Sequence, residues 1–258
     1  MRLSGVAPLL AALPSALGRL SQPPIANTTK LPTHYGLLLF PHFQALDVFG
    51  PLDVFNNLAM MYKNSTTMYL SVLSKTMAPV TTGMTGLPGS FEQRIVPTTT
   101  FTEYLNGTRP PPTNLGDIEV LIIPGGGGTR SNMTEEIAFV KQIYPKVKYI
   151  ITICTGSTIV SRTGILDGRK ATTNKFSWAW AVKQGPKVNW VPTARWVEDG
   201  NIFSSSGVSA GIDVAYAFVS RMYGEPVANY LAQAAEYNRE TDPHHDPFST
   251  FWEVPGST

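Results

Sequence analysis

The chain of 258 residues contains a single cysteine, Cys154. One cysteine excludes an intramolecular disulfide and every zinc or iron–sulfur site that needs several thiolates, so we expect no metal centre. Cys154 is therefore either an inert thiol of the core or the centre of the chemistry.

Charged residues are also scarce, at 15 % of the chain against 43 % hydrophobic residues. This balance excludes a disordered chain and a coiled coil, and it predicts one compact domain with appended ends. The 20 Lys and Arg against 18 Asp and Glu give a net charge of +2, and no basic stripe stands out. We therefore expect no nucleic acid partner.

The N-terminal 33 residues differ from the rest and form either a disordered extension or a weak secretory signal. Their apolar run, Gly5–Gly18, is too short to span a bilayer and contains Pro8 and Pro14, so we expect no membrane insertion. Glycosylation sequons occur at Asn27, Asn64, Asn106 and Asn132. These features leave two locations open, secreted or cytoplasmic.

Short apolar runs alternate with segments of helical length. The runs that predict strands buried on both faces are YGLLLF at 35–40, MYLSVL at 68–73, VLIIP at 120–124 and YIITI at 149–153. The segments that predict helices are 134–144, 209–222 and 226–238, and a hairpin is predicted around Asp199 and Gly200. This alternation predicts an α/β three-layer sandwich: a mostly parallel, flavodoxin-like sheet with helices on both faces.

Cys154 follows the strand at 149–153 directly and precedes TGSTIVSRTG, which predicts the start of a helix. A nucleophile between strand and helix lies on a sharp turn, a nucleophile elbow, and Gly156 provides the small residue that such a turn needs. A helix N-terminus lowers a thiol pKa from about 8.5 to roughly 3.5–7.5, which predicts a thiolate at neutral pH. The alternative is a buried structural cysteine.

A glycine run follows the strand at 120–124. Gly125 and Gly126 are expected to present free backbone N–H groups to the same crevice as the N–H of Thr155, where they would stabilise developing negative charge. The run lacks the Gly-Lys-Ser/Thr of a P-loop, and Arg130 stands where a dinucleotide fingerprint needs glycine. A plain flexible loop is the alternative.

Histidines, the usual proton carriers for a thiolate, number only four. His244 and His245 lie in the tail, and His42 alone follows the first strand. Two aspartates are better placed. Pro51 suits the first position of a helix, which would put Asp53 in its first turn and leave Asp47 in the loop at the carboxyl end of the first strand. Beside a thiolate there, Asp47 would have a raised pKa and transfer protons.

These residues resemble the ThiJ/PfpI superfamily, whose relatives include class I glutamine amidotransferases. The motifs are GLLLFPHFQALDVFGPLDVF, LIIPGGGG, ICTGS, GILDGRKATTN and SSGVSAGIDVAY, which together span about 34–238. Asp47 within ALDVFGP, and Thr155 directly after Cys154, are most similar to the isonitrile (isocyanide) hydratase branch. The resemblance thus divides the chain into an extension at 1–33, a domain at 34–238 and a tail at 239–258.

The resemblance implies a homodimer and a cofactor-free hydration of an isonitrile to an N-substituted formamide. Cys154 would attack the isonitrile carbon to form a thioimidate, Asp47 would move the protons, and Thr155 would assist through its hydroxyl and N–H. Gly125, Gly126 and Gly156 would form the substrate-binding surface around the cysteine. The small-molecule substrate would be the partner, with neither nucleic acid nor membrane.

Two departures argue against peptidase or glutaminase activity. Related proteases and amidotransferases carry a histidine after the cysteine or later in the chain, whereas Thr155 and Asn174 occupy the corresponding positions here. Related regulators append a helix-turn-helix domain, for which the tail is too short. A redox sensor built on a low-pKa thiol and glyoxalase-like chemistry on small aldehydes remain as alternatives. The aromatic residues Phe176, Trp178 and Trp180 are expected to pack the structure rather than line a pocket.

Overall fold

The computed structural model describes residues 21–27, 30–84, 91–109 and 115–257. The signal-like run at 5–18 lies outside these ranges. Within them, no helix is both long and apolar enough to cross a membrane.

The protein is built around a seven-stranded sheet with two small accessory ribbons. The strands in chain order are β1 (His34–Leu38), β2 (Tyr69–Ser74), β3 (Val80–Thr81), β4 (Arg94–Ile95), β5 (Thr99–Thr100), β6 (Val120–Ile123), β7 (Tyr149–Thr152), β8 (Lys170–Ala171), β9 (Asn189–Trp190), β10 (Trp196–Asp199) and β11 (Ile202–Ser205).

The main sheet has the order β10-β11-β7-β6-β1-β2-β5, in which every pair is parallel except β10 with β11. The chain runs from β1 outward to β2 and then returns to β6 on the other side of β1. This reversal is the topological switch point of a flavodoxin-like sheet, where ligands bind beyond the carboxyl ends of the strands. The predicted mostly parallel α/β sheet is confirmed.

The four predicted strands are present as β1, β2, β6 and β7. All residues of β1 and β6 are buried, as the continuous apolar runs at 35–40 and 120–124 predict for strands covered on both faces. The predicted hairpin is β10 and β11, which pair Asp199 with Ile202 across a turn formed by Gly200 and Asn201. Gly200 has φ +61°, a conformation that favours glycine.

Helices cover both faces of the sheet. They are α1 (Ala45–Met61), α2 (Phe101–Asn106), α3 (Thr134–Ile143), α4 (Ser157–Ser161), α5 (Trp178–Ala181), α6 (Ala210–Tyr223), α7 (Glu225–Ala234) and α8 (Pro247–Phe251). Helices α1, α6 and α7 pack together, and α3 packs on α4. Phe101 of α2 stacks on Phe139 of α3 at 4.6 Å between ring centroids, which joins α2 to the second group.

Helix α1 begins earlier than the sequence predicts. It starts at Ala45, so Asp47 lies in its first turn, Pro51 lies inside it, and Asp53 is an exposed residue of its middle. The prediction that Pro51 opens the helix was wrong. Pro51 cannot donate to the Asp47 carbonyl, but it is buried against α6, where its Cγ approaches Gly211. Tertiary packing therefore carries the helix through the proline.

Two other helices also differ from their predicted bounds. Helix α3 ends at Ile143 rather than at Tyr144, and at its start the Asn132 side chain accepts a hydrogen bond from the Thr134 N–H at 3.0 Å. Helix α7 ends at Ala234 rather than Asn238. The chain turns away there at Glu236, which has φ +52°, and this turn brings the Tyr237 hydroxyl to Asp213.

The C-terminal tail packs on the body of the protein. The Pro243 carbonyl accepts a hydrogen bond from the Arg195 N–H at 2.8 Å, and the Ser249 hydroxyl donates to the Pro192 carbonyl at 2.7 Å. Asp246 caps α8 and lies 3.8 Å from the buried Lys175 ammonium. Burial lowers the pKa of Lys175 to about 8.

Asp213, in the first turn of α6, is the centre of a buried polar cluster. Arg195 donates from Nε and Nη2 to Asp213 Oδ2, both at 2.7 Å. Asp213 Oδ1 accepts from the Tyr237 hydroxyl at 2.9 Å and from the Glu240 N–H at 3.0 Å. The cluster therefore joins the residue before β10, helix α6, the segment after α7 and the tail.

Replacing Asp213 with alanine leaves the Arg195 charge buried without its partner. We expect Asp213→Ala to lower the free energy of unfolding by about 3–5 kcal/mol, measured by urea titration followed by circular dichroism. The matched control is Asp167→Ala, which removes an exposed ion pair with Lys187 at 3.6 Å and is expected to cost less than about 1 kcal/mol. Equal losses in the two variants would contradict the assignment of this cluster as a structural centre.

Candidate active site

Three neighbouring strands bring the predicted site residues together. The order β7-β6-β1 is parallel throughout, so the carboxyl ends of these strands meet at one edge of the sheet. Cys154 follows β7, Gly125 follows β6, and Asp47 lies in the first turn of the helix that follows β1. The sheet topology therefore converts three positions far apart in sequence into one cluster.

Cys154 occupies a strained turn. Its φ is +57°, a left-handed conformation that a non-glycine residue adopts only when its surroundings impose it. The Cys154 N–H donates to the Ser206 carbonyl at 3.1 Å, and a 3-10 turn over Cys154–Gly156 leads into α4. A Cβ on Gly156 would overlap the Ile123 carbonyl oxygen, so this position requires glycine. The geometry is that of a nucleophile elbow.

Asp47 is fully buried beside the cysteine. Its Oδ2 accepts a hydrogen bond from the Gly125 N–H at 2.9 Å, while Oδ1 has no nitrogen or oxygen partner among the described residues. Burial raises the pKa of Asp47 to about 7, and hydrogen bonds from the Gly125 N–H and the Cys154 thiol offset only part of that rise. Asp47 is thus able to bind and release a proton near neutral pH.

The pKa of the Cys154 thiol shifts in the opposite direction to the one that the sequence predicts. Burial and then the negative charge of Asp47 raise its pKa above the usual range of a thiol. The expectation that a helix N-terminus lowers this pKa was wrong, because α4 is a short helix of five residues and the thiol is almost completely removed from water. At neutral pH the resting site therefore holds a thiol, and the nearby base is the partly ionised carboxyl group of Asp47.

Thr155 faces the thiol with two donors. Its backbone N–H and its hydroxyl both lie within hydrogen-bonding reach of the sulfur, and each lowers the thiol pKa in part. The Thr155 Oγ1 also accepts from the Gly126 N–H at 3.1 Å. Thr155 therefore connects the glycine segment after β6 with the cysteine.

The glycines shape the site, but their N–H groups are already used. The Gly125 N–H donates to Asp47, the Gly126 N–H donates to Thr155, and the Gly156 N–H donates to the Ile153 carbonyl at 2.9 Å. The expectation of free N–H groups on Gly125 and Gly126 therefore differs from the structure. A Cβ on Gly125 would lie 2.5 Å from the Thr155 nitrogen and 3.0 Å from Asp47 Oδ2, so glycine is needed there for close packing.

One donor in the site was not found from the sequence. The Val208 N–H lies within hydrogen-bonding reach of the Cys154 sulfur. Val208 follows β11, the strand next to β7, so it reaches the same edge of the sheet. The motif SSGVSAG, which contains Val208, marks this segment in the sequence. A backbone N–H donor, however, cannot be recognised from residue type.

The rings of three of the four histidines form hydrogen bonds with groups other than the Cys154 thiol. His34 is buried at the opposite end of β1, with its ring nitrogens on Ser71 Oγ at 2.8 Å and the Gly116 carbonyl at 3.1 Å. The His42 ring bonds the Gly83 carbonyl. His245, in the tail, pairs with Glu240 at 2.9 Å. Among the described residues, no group of three histidine, cysteine or acidic side chains is placed to hold a metal ion.

The three aromatic residues after the ATTN motif have different surroundings. Trp178 is buried and packs edge-on against Trp190, as expected for a packing role. The guanidinium carbon of Arg130 lies 4.2 Å from the centroid of the Trp180 ring. Phe176 is 71 % exposed and contacts Trp252 of the tail, so it does not belong to the core.

Comparison with known proteins adds sequence relatives. The model of the DJ-1/PfpI family matches residues 36–221. An isonitrile hydratase of Pseudomonas putida is 32 % identical over 205 residues, which cover 78 % of this chain and 77 % of that protein. The HTH-type transcriptional regulator GbdR of Pseudomonas aeruginosa is 26 % identical over 127 residues, which cover 49 % of this chain and 34 % of the regulator.

Solved structures share the fold. A ThiJ/PfpI family protein from Pseudomonas syringae has a TM-score of 0.64 and 27 % identity, covering 87 % of this chain and 85 % of that one. Drosophila melanogaster DJ-1beta, at 16 % identity, has a TM-score of 0.61 over 81 % of this chain and 100 % of its own. From the match over most of its length and the arrangement of its strands, this chain belongs to the DJ-1/PfpI family.

Proposed function

We propose that the protein hydrates an isonitrile to an N-substituted formamide without a cofactor. The observation that supports this most is the buried pair of Asp47 and Cys154, in which the carboxyl group has a pKa of about 7. Similarity to an isonitrile hydratase over 78 % of the chain supports the same reaction. The net charge of +2 fits a small-molecule substrate better than nucleic acid.

The first step forms the thioimidate. The Asp47 carboxylate takes the proton of the Cys154 thiol, and the sulfur then adds to the terminal carbon of the isonitrile. Asp47 returns that proton to the same carbon, so the product R–N=CH–S–Cys carries no net charge. Asp47 serves as base and then as acid, which its pKa of about 7 permits.

The second step adds water. Asp47, again a carboxylate, takes a proton from water as the oxygen adds to the thioimidate carbon, and it passes that proton to the nitrogen. The tetrahedral adduct R–NH–CH(OH)–S–Cys then loses its C–S bond, which releases R–NH–CHO. Asp47 takes the hydroxyl proton as the sulfur leaves as a thiolate and then returns it to the sulfur, so the pair returns to its starting state.

The N–H groups of Thr155 and Val208 stabilise the thiolate both when it attacks the isonitrile and when it leaves the tetrahedral adduct, because each lies within reach of the sulfur. An isonitrile has no carbonyl oxygen, so free donors for an oxyanion are less important than a proton carrier. The engaged N–H groups of Gly125 and Gly126 are compatible with this chemistry.

The two alternatives gain less support. A redox sensor depends on an accessible thiolate, whereas burial raises the pKa of Cys154 and leaves it 5 % exposed. Glyoxalase-like chemistry gains less support because the proton carrier found beside Cys154 is the carboxyl group of Asp47 rather than a histidine. Consumption of a small aldehyde, with no isonitrile turnover, would favour the glyoxalase alternative.

Loss of either member of the pair should abolish turnover. We expect Cys154→Ala to reduce the rate to background and Asp47→Asn to reduce kcat by about 10²–10⁴-fold, since a positioned acid–base group contributes that much. The measurement is the decay of the isonitrile infrared stretch of an aryl isonitrile, with formamide identified by mass spectrometry. Asp167→Asn, the same change at an exposed aspartate away from the pair, is the control and should retain wild-type activity. Full activity in Cys154→Ala or Asp47→Asn would disprove the mechanism.

The pH dependence of kcat/KM should report Asp47. Below its pKa of about 7 the carboxyl group is protonated and cannot take the thiol proton, so kcat/KM should fall about tenfold per pH unit under pH 7 and level off above it. Initial rates measured from pH 5.5 to 8.5 show whether kcat/KM falls toward acid pH, as expected. An acid limb near pH 4, the range of an ordinary carboxyl group, would contradict the assignment.

We also propose that the protein is a homodimer. A groove of about 630 Å³ beside α1 is lined by Leu46, Phe49 and Leu70, and Met60 and Tyr69 are exposed nearby. An exposed apolar face of this kind is typical of an interface. A second copy of the chain is the occupant we favour, because two-fold symmetry pairs the same face with itself.

A charge in the groove should separate the two copies. We expect light scattering to give a dimer for the wild type and a monomer for Phe49→Glu, since a carboxylate cannot be buried unpaired at such a contact. Phe91→Glu is the control, because Phe91 is 99 % exposed and does not line the groove. A monomeric wild type, or a dimeric Phe49→Glu, would contradict the proposal.

A further inference from the structure

A second threonine hydroxyl lies behind the one that faces the sulfur. Thr129 is fully buried in the 3-10 turn Gly127–Arg130 that follows the glycine segment. Its Oγ1 lies 2.8 Å from the Gly126 carbonyl oxygen and 3.1 Å from Thr155 Oγ1. Its own carbonyl accepts from Arg162 Nη2 at 2.9 Å, which fixes the backbone of the turn. The position of Thr129 is therefore set independently of the substrate.

The hydrogen bonds of Thr155 can be counted atom by atom. Its hydroxyl has one proton to donate and two lone pairs that accept. The Gly126 N–H fills one lone pair at 3.1 Å. The proton has three acceptors within reach, namely the Cys154 sulfur, Thr129 Oγ1 and the Gly126 carbonyl at 3.4 Å. The partners of Thr155 do not by themselves direct its proton to the sulfur.

The Thr129 hydroxyl has two positions for its own proton. While it donates to the Gly126 carbonyl, its lone pairs are open to the Thr155 proton, which draws that proton away from the sulfur. When it donates to Thr155 Oγ1 instead, both lone pairs of Thr155 are filled and Thr129 accepts nothing from it. Of the two acceptors that remain, the negative sulfur attracts the Thr155 proton more than the Gly126 carbonyl at 3.4 Å does, and the chain of hydroxyls strengthens that bond.

We propose that Thr129 is a positioning residue, whose hydroxyl turns to Thr155 Oγ1 when the sulfur becomes negative and so holds the Thr155 hydroxyl as a donor to the Cys154 thiolate. The proposal deepens the proposed function, because the thiolate is the attacking species there. It also applies to any other electrophile that Cys154 attacks. Neither residue type nor spacing distinguishes Thr129 from an ordinary buried threonine in the sequence.

The variant Thr129→Val keeps the shape of the side chain and removes the hydroxyl. Thr155 Oγ1 then has no donor at its second lone pair, so nothing strengthens the hydrogen bond from the Thr155 hydroxyl to the thiolate. We expect alkylation of Cys154 by iodoacetamide to be about tenfold slower at every pH from 7 to 9, as loss of one hydrogen bond to a charged group implies. Mass spectrometry of the single cysteine gives the rate. Thr129→Ser, which retains the hydroxyl, should restore the wild-type rate.

The direction of the change separates positioning from packing. A site that is merely loosened exposes the thiol and is alkylated faster, whereas loss of the donor makes alkylation slower. Wild-type or faster alkylation in folded Thr129→Val would overturn the proposal. Should that variant not fold, Thr129→Ala removes the hydroxyl without adding bulk and is taken through the same assay.

A double-mutant cycle shows whether Thr129 acts through Thr155. We expect Thr129→Val to slow alkylation no further in a Thr155→Val background, because the hydroxyl that it orients is already missing. Additive losses would overturn the proposal. On an isonitrile substrate, Thr129→Val should lower kcat about tenfold with KM unchanged within about twofold. Failure of isonitrile turnover in the wild type would count against the proposed function alone, since the alkylation assay needs no isonitrile.

Discussion

The hydrogen bond from the Gly125 N–H to the Asp47 carboxylate joins the two halves of the sheet at its switch point. It links the end of β6 to the start of α1, and it requires a glycine whose missing Cβ leaves room for Thr155. It also holds a carboxylate in a fully buried position, where its pKa rises to about 7. Fold and chemistry therefore meet in one contact, since the same close approach that closes the crevice changes the acidity of Asp47.

Most of the fold was predictable because its strands are buried on both faces. Continuous apolar runs fix β1, β2, β6 and β7, and a parallel sheet brings their carboxyl ends to one edge. The hydrophobic pattern alone therefore predicts that Cys154 and Asp47 lie at the same edge of the sheet. The elbow followed from a nucleophile between strand and helix, and the φ of +57° at Cys154 agrees with that geometry.

The remaining features depend on tertiary contacts that residue types do not reveal. Pro51 suggested a helix start, but its burial against α6 keeps it inside α1. The glycine N–H groups were expected to be free, but a carboxylate and a hydroxyl accept from them. The sign of the thiol pKa was missed for the same reason. A helix start predicts stabilisation of a thiolate, whereas exclusion of water and the neighbouring Asp47 have the larger, opposite effect.

The shortage of histidine near the thiol becomes understandable in these terms. A base that works at neutral pH needs a pKa near 7, which imidazole has in water and a carboxyl group does not. Burial gives Asp47 that pKa by disfavouring its charged form, and the same burial makes the thiol harder to ionise. Above pH 7 the pair therefore holds one proton, on the sulfur, and the N–H groups of Thr155 and Val208 favour its transfer from sulfur to Asp47. In the proposed reaction, a buried aspartate in this position would perform the task for which thiol enzymes usually employ histidine.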